Sequence, residues 1–172
     1  MALLILSVVG SDRPGLTNTL AAAVLSAGGN WLESHLSRLG GIYVGSVLID
    51  LADDRVATLR SAVSAIDAQG LEVRMVSAVD ESGEAGDAFH FSLVGQDQPG
   101  IVSQVTAVLS GLGANIESFR TWVDIGSESG VPLFHVEAGV RLPAELNAAG
   151  VQAALEDISA EIMVDVSITP AL

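Results

Sequence analysis

Gly10-Ser11-Asp12-Arg13-Pro14-Gly15-Leu16 returns 85 residues later as Gly95-Gln96-Asp97-Gln98-Pro99-Gly100-Ile101. Each copy sits between an apolar run of period two and one of period near 3.6. Before the turn, Leu4, Leu6 and Val8 alternate with Ile5 and Ser7, as Phe89, Phe91 and Leu93 do with His90 and Ser92, which is the pattern of a half-buried strand. After it, Leu16, Leu20 and Val24 recur at helical spacing up to Gly28-Gly29, and Ile101, Val105, Val108, Leu109 and Leu112 do so up to Gly113. At the same offset Gly28 and Asn30 meet Gly113 and Asn115, and after one residue of slip Glu33-Ser34 meets Glu117-Ser118. The chain reads as a duplicated domain.

The rest of each copy follows the same order. Trp31 to Leu39 and Ile42 to Leu51 are strand-like runs hinged at Gly40-Gly41, which suits a tight β-hairpin. Ile116 to Asp124 and Pro132 to Arg141 correspond to them, joined by the longer polar loop Gly126-Ser127-Glu128-Ser129-Gly130. Val56, Leu59, Val63 and Ile66 form the apolar stripe of a second helix, and Val151, Leu155 and Ile158 form its counterpart. Leu71 to Val79 and Glu161 to Ile168 are expected as closing strands. Each half is therefore βαββαβ, an α+β ferredoxin-like unit with two helices on one face of an antiparallel sheet. The expected division is residues 1–80 for the first domain, 81–87 for an acidic, glycine-bearing linker and 88–172 for the second.

Composition excludes whole classes of function. The 172 residues carry seven Arg, no Lys and 21 acidic side chains, a net charge of −14, with −5 falling on residues 1–86 and −9 on 87–172. Duplex binding draws its affinity from neutralised phosphates, so no direct nucleic-acid contact is expected, and any effect on transcription must pass through a protein partner, such as a DNA-binding regulator. Without cysteine there is no disulfide, thiolate metal site or Cys nucleophile. Met1 to Leu6 lacks the basic residues of a signal peptide, and no run of 18 apolar residues suggests a membrane span, so a cytoplasmic protein is expected.

Catalytic patterns fail one by one. The 126–130 loop has Glu where a nucleophile elbow needs Ser. Gly111-Leu112-Gly113-Ala114-Asn115-Ile116 misses the last glycine of a dinucleotide fingerprint and leads into a strand. A phosphate-binding loop lysine is ruled out by composition. Trp31 and Trp122 are expected as packing residues rather than base-stacking platforms on so acidic a chain.

The duplicated turn is the candidate site. Pro14 and Pro99 suit a first helical turn, where the missing N–H has no partner to lose, and Gly15 and Gly100 let a ligand approach the backbone. The N–H groups of Gly15, Leu16, Gly100 and Ile101, at the positive end of a helix, form a seat for a carboxylate. Asp12 or Asp97, or the amides of Asn30 and Asn115, are candidates to receive an ammonium group. A plain helix start with Asp as cap or turn residue accounts for the same residues, and both readings stand.

Two βαββαβ units, each with Gly-x-Asp-x-Pro-Gly-(Leu/Ile) at the first turn and Asn at the start of the second strand, resemble the ACT-domain family. The likeness covers nearly the whole chain and is strongest to its tandem members, through Val8-Val9-Gly10-Ser11-Asp12-Arg13-Pro14-Gly15 and Gly130-Val131-Pro132-Leu133-Phe134. Similar turns open the regulatory segments of phosphoserine phosphatases and formyltetrahydrofolate deformylases, whose separate catalytic domain has no counterpart here. The resemblance implies a non-enzymatic, homo-oligomeric regulator of amino-acid metabolism. It would bind a small amino acid of the glycine or serine kind through Asp12, Arg13, Pro14, Gly15, Leu16 and Asn30 or through Asp97, Gln98, Pro99, Gly100, Ile101 and Asn115. The alternative is an oligomerisation module with vestigial sites. No cofactor or metal is expected. If the first and third strands are neighbours, His90, His135 and Glu137 share the face opposite Phe91 and Phe134, where they read as polar residues of a meeting surface more than as metal ligands. His35 stands alone.

Overall fold

The structure, a computed structural model, describes residues 1–11, 13–67, 70–79, 86–126, 130–144, 146–162 and 164–171. The chain divides into two compact units, Met1–Ser82 and Gly83–Leu172. The first contains β1 (Ala2–Ser11), α1 (Leu16–Ser26), β2 (Asn30–Leu39), β3 (Ile42–Leu51), α2 (Val56–Asp67) and β4 (Leu71–Ser77), with a 3₁₀ turn at Asp53–Arg55 leading into α2. The second contains β5 (Asp87–Gln96), α3 (Ile101–Gly111), β6 (Asn115–Ile125), β7 (Pro132–Leu142), α4 (Ala148–Ile162) and β8 (Val164–Pro170).

Both sheets are antiparallel, in the orders β2-β3-β1-β4 and β6-β7-β5-β8. The first strand of each unit is thus central, flanked by the third and the last, which is the expected βαββαβ arrangement. Its alternation sends Leu4, Leu6 and Val8 into one core with Val47, Ile49 and Leu51, against Leu16, Leu20 and Val24 of α1 and Leu59, Val63 and Ile66 of α2. In the second unit Phe89, Phe91 and Leu93 meet Val136, Ala138, Val140 and Leu142 beneath Ile101, Val105 and Leu109 of α3 and Val151 and Leu155 of α4. Among the described residues no polar side chain is buried, so the described core side chains meet through apolar contact.

The repeat extends to backbone irregularities. The amide of Gly28 donates to the Leu25 carbonyl and that of Gly29 to Val24, each at 2.9 Å, and Gly113 and Ala114 repeat this on Ser110 and Leu109 at 3.0 Å. Both first helices therefore end in the paired 5→2 and 6→1 bonds of a Schellman motif. In the first hairpin Gly40 and Gly41 take φ of 59° and 84°, the two positive angles that a type I′ turn demands.

Three expectations are corrected. The one-residue slip between Glu33-Ser34 and Glu117-Ser118 is not structural. Trp31 pairs with Ile49 and Glu33 with Leu48, leaving Leu32 as a β-bulge, while Ile116 pairs with Val140 and Ser118 with Gly139, leaving Glu117 as the bulge. The bulges keep the 85-residue offset, so Glu33 corresponds to Ser118. Second, α4 runs to Ile162, so Glu161 lies in helix and the closing strand starts at Val164. Third, β4 stops at Ser77, before Val79. Residues 80–85, most of the expected linker, lie outside the described residues, and Asp87 already belongs to β5.

Candidate functional site

β1 and β5 lead to α1 and α3 through N-cap glycines of matching backbone geometry. Gly15 precedes the first helical residue with φ 93° and ψ −2°, and Gly100 does so with φ 100° and ψ −11°, a left-handed geometry that favours glycine. The N-cap glycines bring no side-chain cap hydrogen bond to either helix, and first-turn N–H groups have no acceptor within their own helix. The Gly15 carbonyl accepts the Thr19 N–H at 2.9 Å and its hydroxyl at 3.0 Å, and the Gly100 carbonyl accepts the Gln104 N–H at 3.0 Å. Leu16 and Ile101 drop their side chains into the two cores, with 4% and 2% exposure. Their contribution at the turn is therefore chiefly backbone.

Around the second turn, Asp97 and Pro99 are exposed and Gln98 is half-buried. The Asp97 N–H donates to the Pro132 carbonyl at 3.0 Å, tying the turn to the start of β7. A cavity of ≈ 500 Å³ opens there, lined by Gln98, Gly100, Ile101, Val102, Ser103 and Phe134. Three of these are the expected site residues. Val102, Ser103 and Phe134 escape a motif-based reading, because two follow the motif and the third comes from another strand.

Around the first turn, Arg13 and Pro14 are exposed, while Asp12 lies outside the described residues. The corner is polar where the second is apolar: Thr17 Oγ1 and Tyr43 Oη share a hydrogen bond of 2.6 Å. Tyr43 pairs with Gly10 on β1 and Phe134 with Gly95 on β5, so the two rings hold equivalent places. Thr17 and Val102 are likewise the second residues of α1 and α3.

Asn30 and Asn115 are not brought to the turns of their own units. Asn30 pairs with Asp50, which pairs with Leu3, whereas the turn follows Ser11; Asn115 pairs with Arg141, which pairs with Ala88. Eight strand residues, about 26 Å, separate the two ends. An amino acid cannot span that distance, so within one unit Asn30 and Asn115 do not share a ligand with the turn.

The histidines do not converge. On the helix-free face of the second sheet His90 lies opposite Gly139, Glu137 opposite Ser92 and His135 opposite Val94, a stagger that puts the two rings about 13 Å apart along the strands. Among the described residues no three His, Asp or Glu side chains gather as metal ligands. His135 instead stacks on Trp122 with ring centroids 4.9 Å apart and planes 4° from parallel. Arg120 sits 5.0 Å from the Trp122 centroid and 3.7 Å from Glu137. Nε2 of His135 is 3.1 Å from Asp124 Oδ1, an ion-pair approach when the ring is protonated, without hydrogen-bond alignment. Trp122 is thus part of a surface stack, while Trp31 packs against the first core. His35 is exposed beside Glu33 at 3.0 Å.

The duplicated topology and turn agree with the family comparison: ACT-domain models match residues 2–76 and 89–153. The chain belongs to the ACT-domain family, with two domains in tandem. An unknown protein from Galdieria sulphuraria has a similar crystal structure, with a TM-score of 0.83 and 28% identity over 99% of both chains. A second similar crystal structure belongs to a protein provisionally designated a glycine cleavage system transcriptional repressor, with a TM-score of 0.71 and 18% identity over 99% of this chain and 97% of that one. Comparison with curated protein sequences gives no match. No helix among the described residues is long and apolar enough to cross a membrane.

Proposed function

We propose that the chain is a non-enzymatic cytoplasmic regulator that binds a small amino acid at its Asp-x-Pro-Gly turns and signals to a protein partner. The observation that carries this reading is the second turn. There a helix start whose N-cap glycine lies in the left-handed region and brings no side-chain cap borders a cavity large enough for an amino acid. Backbone N–H groups suit a carboxylate. Asp97 on the second turn is the ammonium candidate at that end of the sheet. Asp12 has the corresponding motif position in the first. Regulation of transcription in amino-acid metabolism is the process suggested by the designation of one structural relative. The charge of −14 disfavours direct contact with a duplex and so supports action through a DNA-binding partner. Self-association finds support on the helix-free face of the first sheet, where Leu3, Val9 and Val76 are 41%, 45% and 53% exposed.

Thermal-shift screening against the twenty amino acids tests the reading. A ligand of the native state at one hundred times its Kd contributes about 2.7 kcal/mol of apparent stability, so the unfolding midpoint should rise by several degrees with at least one amino acid. No shift at millimolar concentrations, confirmed by calorimetry, would favour an interaction module with vestigial sites.

A further inference from the structure

We infer that the two turns do not read the same ligand: the second takes an amino acid with an apolar side chain, and Phe134 and Val102 set that preference. The inference rests on the amino-acid seat proposed above and adds its selectivity. Tyr43 and Phe134 occupy one register position, each opposite the glycine that precedes the turn. Thr17 and Val102 occupy one helix position. The duplicated backbone therefore presents two chemically opposed corners.

At the first corner the Thr17 and Tyr43 hydroxyls are bonded to each other at 2.6 Å, and a hydroxyl pair keeps further lone pairs and a proton that water can solvate. An apolar side chain laid over them would strip that water and return nothing. At the second corner the same two places hold a benzyl ring and an isopropyl group, and both line the cavity with Ile101. Val102 is 41% exposed, so covering it removes apolar surface from water on both partners. Gln98, Ser103 and the Gly100–Ile101 backbone supply polar groups for the charged ends of the ligand. A mostly apolar wall with few polar fixtures is the usual build of a small-molecule site.

Isothermal titration of the full chain with glycine, serine, valine, leucine and phenylalanine provides the test. The wild type should bind an apolar member at one site at least tenfold more tightly than it binds glycine or serine there. The double variant V102T/F134Y, which gives the second corner the residues of the first, should weaken the apolar ligand by about tenfold or more with an unchanged far-UV spectrum. The reverse variant T17V/Y43F should raise the stoichiometry for the apolar ligand from one to two. The selectivity is overturned if apolar amino acids bind no better than glycine, if two equal sites take them in the wild type, or if V102T/F134Y leaves the order of affinities unchanged. In each of these cases measurable binding keeps the amino-acid sensor intact. Absence of binding by every amino acid overturns both.

Discussion

Phe91→Ala should lower the stability of the second unit by about 3–5 kcal/mol, the usual cost of deleting a buried phenyl ring. Phe91 is 1% exposed in the central strand of its sheet, opposite Ala138 on β7 and Ile168 on β8. Ala138 is too small to swing into the space the ring leaves, and among the described residues no buried polar side chain is at hand to draw water in. A domain of 80–90 residues has on the order of 4–13 kcal/mol in total, so the loss takes a large share of it. Urea unfolding should show a much lower midpoint, with Ser92→Ala on the opposite face as the control, expected within about 0.5 kcal/mol of wild type. A loss under 1 kcal/mol for Phe91→Ala would mean that β5 is placed one residue out of register.

Gly100→Val should abolish amino-acid binding at the second turn. At φ 100° a β-branched residue is strained by about 1–3 kcal/mol, and relief of that strain rotates the Gly100 and Ile101 amides away from a common target. A Cβ on Gly100 would meet no atom within 4 Å, so the core should survive while the open space beside the helix start is filled. Calorimetry with whichever amino acid the thermal screen identifies should show no heat for this site, alongside a native-like circular dichroism spectrum. Asp97→Ala, which removes the ammonium candidate and keeps the backbone, should weaken binding by about 1–3 kcal/mol. Undiminished binding in Gly100→Val would place the ligand elsewhere.

Much of this architecture was legible because the duplication supplies its own control. Period-two and period-3.6 runs recurring in one order identify βαββαβ without knowledge of the packing. Boundaries were less secure. Val151, Leu155, Ile158 and Ile162 keep helical spacing, yet the apolar density of the following segment makes it resemble strand from Glu161 onward. The Asn pair misled for a different reason. Its recurrence is real, but α1 and α3 carry the chain back along the sheet, and only topology shows that the next strand starts at the end remote from the turn. Phe134 was hidden by the longer second hairpin, which shifts its correspondence with Tyr43 away from the 85-residue offset. Strand register restores it.

Each unit also contains one of the chain's two tryptophans, in contrasting surroundings: Trp31 against an aliphatic core, Trp122 stacked on an imidazole and near a guanidinium. The protein therefore has a separate intrinsic fluorophore for each half, one in an oily setting and one in a charged, partly wet setting, and their emission bands should be resolvable. Single replacements, Trp31→Phe and Trp122→Phe, leave one emitter each, so that unfolding of one half can be watched while the other stays dark.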